Sequence, residues 1–142
     1  MNIQNFSKPA PRPRIVIPKS EHVRLMNLAE KALEKISPVA EYLSDELSRA
    51  HVVPDDHCSP NVVRMGSHVT YSEDATKKTR KVTLVYPKDA DIDQNRISIL
   101  TPIGAALIGL SPAQSIQWPS PMGGMSSLTV LDVKNEDVAD IT

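Results

Sequence analysis

Thr101-Pro102-Ile103-Gly104-Ala105-Ala106-Leu107-Ile108-Gly109-Leu110 is the stretch that decides the fold of this chain. Thr101 offers a side-chain oxygen as an N-cap, and Pro102 has the fixed φ and the missing N–H that suit the first position of a helix. Small and aliphatic residues then supply one or two turns, and Gly109 permits a left-handed exit. The stretch predicts a short buried helix packed against a sheet, with no nucleophile in it.

The segments on both sides of this helix show the two-residue period of β-strands. Residues 62–71 are expected to form one strand or a bent pair, with Gly66 at the bend. The other predicted strands cover residues 79–86, 96–100, 115–118 and 127–133. The expected fold class is therefore α+β, with a half-open antiparallel sheet that wraps one short helix.

A helical hairpin is predicted upstream of the sheet. Ser20 is expected to cap the first helix, with Glu21 in its first turn, and Ser37-Pro38 is expected to end that helix and to begin the second. Each helix carries one apolar stripe at a spacing of three to four residues: Leu25, Leu28, Ala29, Ala32 and Ile36, then Val39, Leu43, Leu47 and Ala50. Two helices with almost no loop between them fold back antiparallel and bury these stripes on each other.

Changes in composition along the chain predict five segments. These are a flexible tail with Pro and Arg at 1–14, the short helical hairpin with a strand at its start at 15–50, a linker at 51–61, a C-terminal domain at 62–135 and a tail at 136–142. The hairpin is too short to be stable alone and needs the neighbouring domain.

The composition of the whole chain restricts the classes of function. The chain has 142 residues, a net charge of −1 and 4% aromatic residues, so it has no strong field for nucleic acid or membranes and few rings to stack a base. Cys58 is the single cysteine, which excludes an intrachain disulfide and indicates a reducing compartment. No apolar run approaches the ~20 residues of a membrane span, so a cytoplasmic protein is expected. The oligomeric state is not indicated.

Five segments in order carry a resemblance to a known family. They are Leu84-Val85-Tyr86-Pro87, Ile97 through Gly109, Ser115-Ile116-Gln117-Trp118, Gly123-Gly124 and Leu128-Thr129-Val130-Leu131. Together they resemble the Gre-type transcription elongation factors, and most closely the shorter subgroup called regulator of nucleoside diphosphate kinase. The resemblance covers about residues 15–135. It implies a coiled-coil hairpin, an FKBP-like C-terminal domain and RNA polymerase as partner, with that domain on the rim of the secondary channel and the hairpin pointing inward.

The hairpin tip departs from the Gre pattern. Gre factors carry carboxylates there that help to hold a catalytic Mg²⁺, a hard cation that needs oxygen ligands. Here the apex, Lys35-Ile36-Ser37-Pro38-Val39, contains no carboxylate, and Glu34 and Glu41 lie on the flanking turns. Helices of about 16 residues also reach only ~24 Å, whereas Gre hairpins are longer. We therefore expect occupancy of the channel without stimulated cleavage. The candidate residues of the hairpin tip are Glu34, Lys35, Ser37, Pro38 and Glu41. The carboxylates of Glu34, Glu41 and Asp45 either face polymerase or, as the sequence favours, are ordinary solvated helix positions.

Two segments of the C-terminal domain are the candidates for docking on polymerase. The candidate docking residues are Thr101, Pro102, Ile103, Gly104, Met122, Gly123 and Gly124. The first four form a turn with one exposed apolar residue, and the others belong to an adaptable loop. The alternative is that Ile103 and Met122 cap the sheet. Trp118 is expected to belong to the core.

Other functions and sites have weaker support in the sequence. A zinc site at His51, Asp55, Asp56, His57 and Cys58 lacks a Cys-x-x-Cys pair, so a polar linker is favoured and no catalytic residue, metal or cofactor is predicted. The basic run 77–81 either protects a sheet edge or contacts an acidic polymerase surface. Any DNA contact is expected to be indirect, through the polymerase. A peptidyl-prolyl isomerase, a direct partner of nucleoside diphosphate kinase and an interaction module for another partner remain alternatives; the first lacks aromatic residues for its pocket.

Overall fold

A helical hairpin lies at the N-terminal side of the molecule. The computed structural model describes residues 12–35, 37–119 and 124–135. Helices α1 (Lys19–Leu33) and α2 (Pro38–Arg49) bury Leu25 and Ala29, and Leu43 and Leu47, respectively, as the stripes predict. The antiparallel arrangement follows from the bond between the His22 ring, in the first turn of α1, and the Leu47 carbonyl near the end of α2 (2.9 Å).

The two helices begin in different ways. Ser37 caps α2 as predicted, since its hydroxyl accepts a hydrogen bond from the Ala40 N–H at 3.1 Å. The prediction for Ser20 is wrong, because α1 begins at Lys19 behind Pro18, without a side-chain cap. The Ser20 N–H instead donates to the Asp55 carboxylate at 2.9 Å, so a residue 35 positions away satisfies this helix end.

Two short strands join the hairpin to the rest of the molecule. Strand β1 (Val16–Pro18) lies parallel to β2 (His51–Val53), directly before α1 and directly after α2. Residues 51–61, predicted to be a linker, therefore contain a strand and a 3₁₀ turn at Asp55–His57. The strand expected at the start of the hairpin is present as β1, whereas the sequence analysis missed β2, because its partner lies 35 residues away in the chain.

The main sheet has five strands in the order β5-β4-β3-β7-β6. Its strands are β3 (His68–Glu73), β4 (Lys78–Val85), β5 (Arg96–Ser98), β6 (Ser115–Pro119) and β7 (Met125–Lys134). Three neighbouring pairs are antiparallel, but β4 and β5 are parallel, which corrects the fully antiparallel expectation. Residues 86–95 cause this difference, since they lead back along β4 through 3₁₀ turns at Pro87–Asp89 and Ile92–Gln94. Strand β3 is also shorter than the predicted 62–71, and Gly66 (φ +89°) lies in the turn before it.

The short helix α3 (Pro102–Leu107) lies among the buried elements, as the decisive stretch predicts. Gly109 follows with φ +80°, the left-handed exit expected of it. One continuous core joins residues of the hairpin, β1, the sheet and α3, and it includes Ile15, Leu43, Leu84 and Leu107. The class is α+β with a mostly antiparallel sheet. Among the helices of the described ranges, each is too short or too polar to cross a membrane.

Candidate partner-binding surfaces

The start of α3 is a rigid turn that two bonds of one hydroxyl stabilise. Thr101 Oγ1 accepts a hydrogen bond from the Gly104 N–H at 3.1 Å and donates one to the Ser98 carbonyl at 2.7 Å. Thr101 and Pro102 are half-buried, and Gly104 is fully enclosed. The surface that a partner can reach therefore consists of Thr101, Pro102 and the outer part of Ile103.

Ile103 is less accessible than its role in docking suggests. Its side chain is half-buried and packs against the core, as the alternative interpretation expects. Of the second docking segment, Gly124 is exposed with φ +74°, and the neighbouring Met125 is 50% exposed. Met122 and Gly123 lie outside the described residues. Trp118 is buried, as predicted.

The hairpin tip presents charged side chains to solvent. Glu34 and Lys35 follow the last residue of α1, and Glu41 lies in the first turn of α2; all three are exposed. Pro38 is exposed as the first residue of α2, whereas Ser37 is half-buried by its capping role. Ile36 lies outside the described residues. The acidic groups of the tip thus flank the apex on both helices, and the described apex residues carry no carboxylate.

A buried ion cluster lies at the opposite end of the hairpin, and the sequence analysis missed it. Glu46 is completely buried, and its carboxylate accepts hydrogen bonds from Arg49 at 2.7 and 3.0 Å and from Arg12 at 2.5 Å. Burial is the main cause that raises the pKa of the nearby Tyr42 hydroxyl, and the negative charge of Glu46 is the next. This hydroxyl donates a hydrogen bond to the Gln117 carbonyl at 3.4 Å. A signal was available in the sequence, since Glu46 lies three residues after Leu43 on the apolar stripe.

A second polar junction connects α1 to the sheet. Glu21 accepts a hydrogen bond from the Met65 N–H at 3.1 Å and pairs with Arg64 at 3.3 Å. Burial nevertheless raises the pKa of the Glu21 carboxyl, because desolvation outweighs these contacts. Beside it, the Arg24 guanidinium lies 4.7 Å from the centre of the Tyr86 ring. An open cavity of about 270 Å³ between α1 and the sheet domain is bordered by Glu21, Arg24 and Tyr86.

The basic run 77–81 begins in the turn between β3 and β4 and continues through the first four residues of β4. All five of its side chains are exposed, and Arg80 pairs with Glu73 across the strands at 2.8 Å. Strand β5 covers only Thr83–Val85 of β4, so the basic half of β4 has one neighbouring strand. This placement fits the protection of a sheet edge, and contact with an acidic partner stays a prediction.

Three of the five candidate zinc ligands have other side-chain contacts: Asp55, Asp56 and His57. The Asp55 carboxylate accepts the Ser20 N–H, and this bond lowers its pKa. His57 Nδ1 lies 3.9 Å from Asp56 on an exposed turn, and burial raises the pKa of the Cys58 thiol. Throughout the described ranges, no group of three His, Cys, Asp or Glu side chains is arranged to hold a metal ion.

Comparisons with known proteins fit this combination of hairpin and sheet. A family model described as the C-terminal part of the transcription elongation factors GreA/GreB matches residues 58–135, and one described as the Rnk N-terminus matches residues 13–53. The chain is 33% identical over 128 residues to the regulator of nucleoside diphosphate kinase of Escherichia coli K12, an alignment that covers 90% of this chain and 94% of that protein.

Two further relatives are elongation factors. GreA of Azorhizobium caulinodans is 34% identical over 130 residues, which cover 85% of this chain and 82% of the relative. The solved GreA/GreB elongation factor of Nitrosomonas europaea superposes with a TM-score of 0.68 at 37% identity, over 87% of this chain and the whole of that one.

Proposed function

The chain belongs to the GreA/GreB family of transcription elongation factors, and we propose that it regulates elongation by occupying the secondary channel of RNA polymerase without stimulating transcript cleavage. Its N-terminal region is similar to that of the regulator of nucleoside diphosphate kinase. The sheet domain docks on the channel rim and the hairpin enters the channel. Any effect on nucleoside diphosphate kinase levels then comes through transcription.

The composition of the hairpin tip carries this proposal. A cleavage factor has to place a carboxylate near the catalytic Mg²⁺, and in this chain Lys35, Ser37 and Pro38 occupy the described apex. The helices are also short, since the 15 residues of α1 and the 12 of α2 extend only about 22 Å and about 18 Å. A short hairpin without a carboxylate at its apex occupies space in the channel but brings no ligand to the catalytic Mg²⁺ from that apex.

The docking contact is proposed at the start of α3, at its N-cap and first two residues. Thr101, Pro102 and Ile103 are held by the bonds of the Thr101 hydroxyl, so little conformational freedom is lost when they bind. Gly124 and the undescribed Met122 and Gly123 are proposed as the second contact. The FKBP-like character of the domain and the coiled-coil character of the hairpin are part of the same proposal.

Binding to core RNA polymerase tests the docking, with a GreA protein as competitor. We expect saturable binding that the competitor displaces. Ile103→Asp should weaken this binding at least about tenfold, which corresponds to about 1.4 kcal/mol. Ile92→Asp is the matched control, because Ile92 is 85% exposed on the turn Ile92–Gln94, outside the hairpin and both proposed contacts, and should bind like the wild type. Circular dichroism of both variants verifies that they fold. Equal binding by both variants would exclude the turn as the docking site.

Cleavage of a stalled transcript tests the second half of the proposal. The wild-type protein should leave the transcript intact and should inhibit cleavage by an added Gre factor. Robust cleavage with this protein alone would contradict the interpretation of the tip. Substantial proline isomerisation, or binding to nucleoside diphosphate kinase but not to polymerase, would favour an alternative function.

A further inference from the structure

The segment Arg12–Val16, which we call the strap, lies between the base of the hairpin and the sheet domain. On the hairpin side, Arg12 Nη1 donates to the Glu46 carboxylate at 2.5 Å, and Arg49 Nη1 donates to the Pro13 carbonyl at 2.6 Å. Both contacts are made with the last two turns of α2. The strap is thus hydrogen-bonded to α2 near the C-terminal end of that helix.

The other side of the strap is attached to the sheet domain. The Gln114 side-chain amide donates to the Arg14 carbonyl at 3.1 Å, and the Val16 N–H donates to the Gly109 carbonyl at 3.1 Å. Ile15 between them is completely buried in the common core. The strap therefore connects α2 to the segment that follows α3, although the sequence pattern assigns residues 12–14 to a flexible tail.

The buried Glu46 carboxylate does not depend on Arg12 for a hydrogen-bonding partner. Arg49, one turn along the same helix, already donates two hydrogen bonds to the buried Glu46 carboxylate. A second guanidinium, from a residue 34 positions away, adds a side-chain contact to those that the Arg49–Pro13 bond and the β1–β2 pairing already make between the strap and the end of the hairpin. Buried ion pairs of this kind contribute little net stability but select one arrangement in some proteins.

We propose that Arg12 and Glu46 are positioning residues that fix the direction of the hairpin relative to the sheet domain. The cluster lies at the base of the hairpin, so a small rotation there displaces the tip. A rotation of about 10° would move the tip, about 22 Å away along the helices, by about 4 Å. The contacts of Glu21 and Arg24 attach α1 to the sheet domain, and the strap attaches α2 together with the hydrogen bond from Tyr42 to Gln117. The functional consequence rests on the proposed channel occupancy, but the effect on hairpin direction does not.

The first experiment measures the hairpin direction in the free, full-length protein. Nitroxide labels at Lys35→Cys on the tip and Lys88→Cys on the sheet domain, both exposed positions, are introduced in a Cys58→Ser background. Pulsed electron paramagnetic resonance should give one narrow distance distribution, which Arg12→Ala broadens or displaces. Arg12→Ala should still fold, because Glu46 keeps its two bonds to Arg49; circular dichroism and the fluorescence of Trp118 verify this.

Two variants separate positioning from a general effect of charge. Arg14→Ala removes an exposed arginine from the same strap and should leave the distances unchanged. Arg12→Lys keeps a cation beside Glu46 and should restore most of the wild-type distribution. Unchanged distances in Arg12→Ala, or equal changes in Arg12→Ala and Arg14→Ala, would overturn the proposal.

The second experiment repeats the polymerase competition with the same variants. If Arg12→Ala leaves about one-tenth of the molecules in the competent direction, about tenfold more protein is needed to displace the Gre competitor. Displacement equal to that of the wild type, in a variant whose distances have changed, would refute the functional consequence. If the wild type itself fails to bind polymerase, the proposed function fails, and the distances alone decide the role of the strap.

Discussion

Gly109→Ala tests how closely the strap packs against the exit of α3. An added Cβ at Gly109 would lie 2.8 Å from the Ile15 Cβ and 3.2 Å from the Val16 carbonyl oxygen. Both opposing atoms belong to a buried segment whose backbone is hydrogen-bonded to Gly109 itself. The Val16 N–H donates to the Gly109 carbonyl at 3.1 Å, and the Gly109 N–H donates to the Val63 carbonyl at 2.9 Å. Relief of the contact therefore strains or breaks these bonds.

The expected cost has two parts. Gly109 has φ +80°, so any residue with a Cβ bears left-handed strain of about 1–2 kcal/mol. The carbon–carbon contact of 2.8 Å is about 1 Å shorter than the usual 3.5–4.0 Å, and overpacking of this kind costs about 1–3 kcal/mol. We therefore expect the free energy of unfolding to fall by about 3–4 kcal/mol.

Gly66→Ala is the matched control. Gly66 has φ +89°, and an added Cβ there has no heavy atom within 4 Å, so only the strain remains. Urea unfolding followed by the fluorescence of Trp118, the single tryptophan, should place Gly109→Ala about 2 kcal/mol below Gly66→Ala. This difference corresponds to a Tm lower by about 6–8 °C. Equal stabilities of the two variants, within about 0.5 kcal/mol, would refute the close packing of the strap.

Three further perturbations test the caps, the core and the buried phenols. Ser37→Ala should cost about 1 kcal/mol in urea unfolding, because the Ala40 N–H loses its acceptor. Leu43→Ala should cost about 3 kcal/mol, since this side chain is completely buried; a loss below about 1 kcal/mol would contradict its place in the core. At alkaline pH, burial raises the folded-state pKa of the three tyrosines above the ordinary value of 10.0: Tyr42, Tyr71 and Tyr86. Their contribution to stability is complete below the unfolded pKa and is lost as pH rises through the folded pKa, so the urea concentration at the midpoint of unfolding should decrease as pH rises above about 10. Phenol ionisation in the folded protein near the ordinary pKa, seen by ultraviolet absorbance, would argue against this burial.

The sequence determined the features that depend on neighbouring residues. Ser37 and Thr101 cap their helices, and Gly109 ends α3 in the left-handed region, because such structures involve bonds over only a few positions. The apolar stripes located the buried faces of α1 and α2, and the two-residue period located most strands of the sheet. The five resemblance segments also indicated the family, which the comparisons confirmed.

Tertiary structure decided whatever depends on residues far apart in the chain. Asp55 satisfies the start of α1, β5 pairs with β4 in parallel, and Arg12 meets the buried Glu46 only because the fold brings these segments together. Periodicity records which side of an element is apolar, but it does not record which distant group lies opposite. A carboxylate on an apolar stripe therefore looks like a surface residue until a strap from elsewhere in the chain covers it.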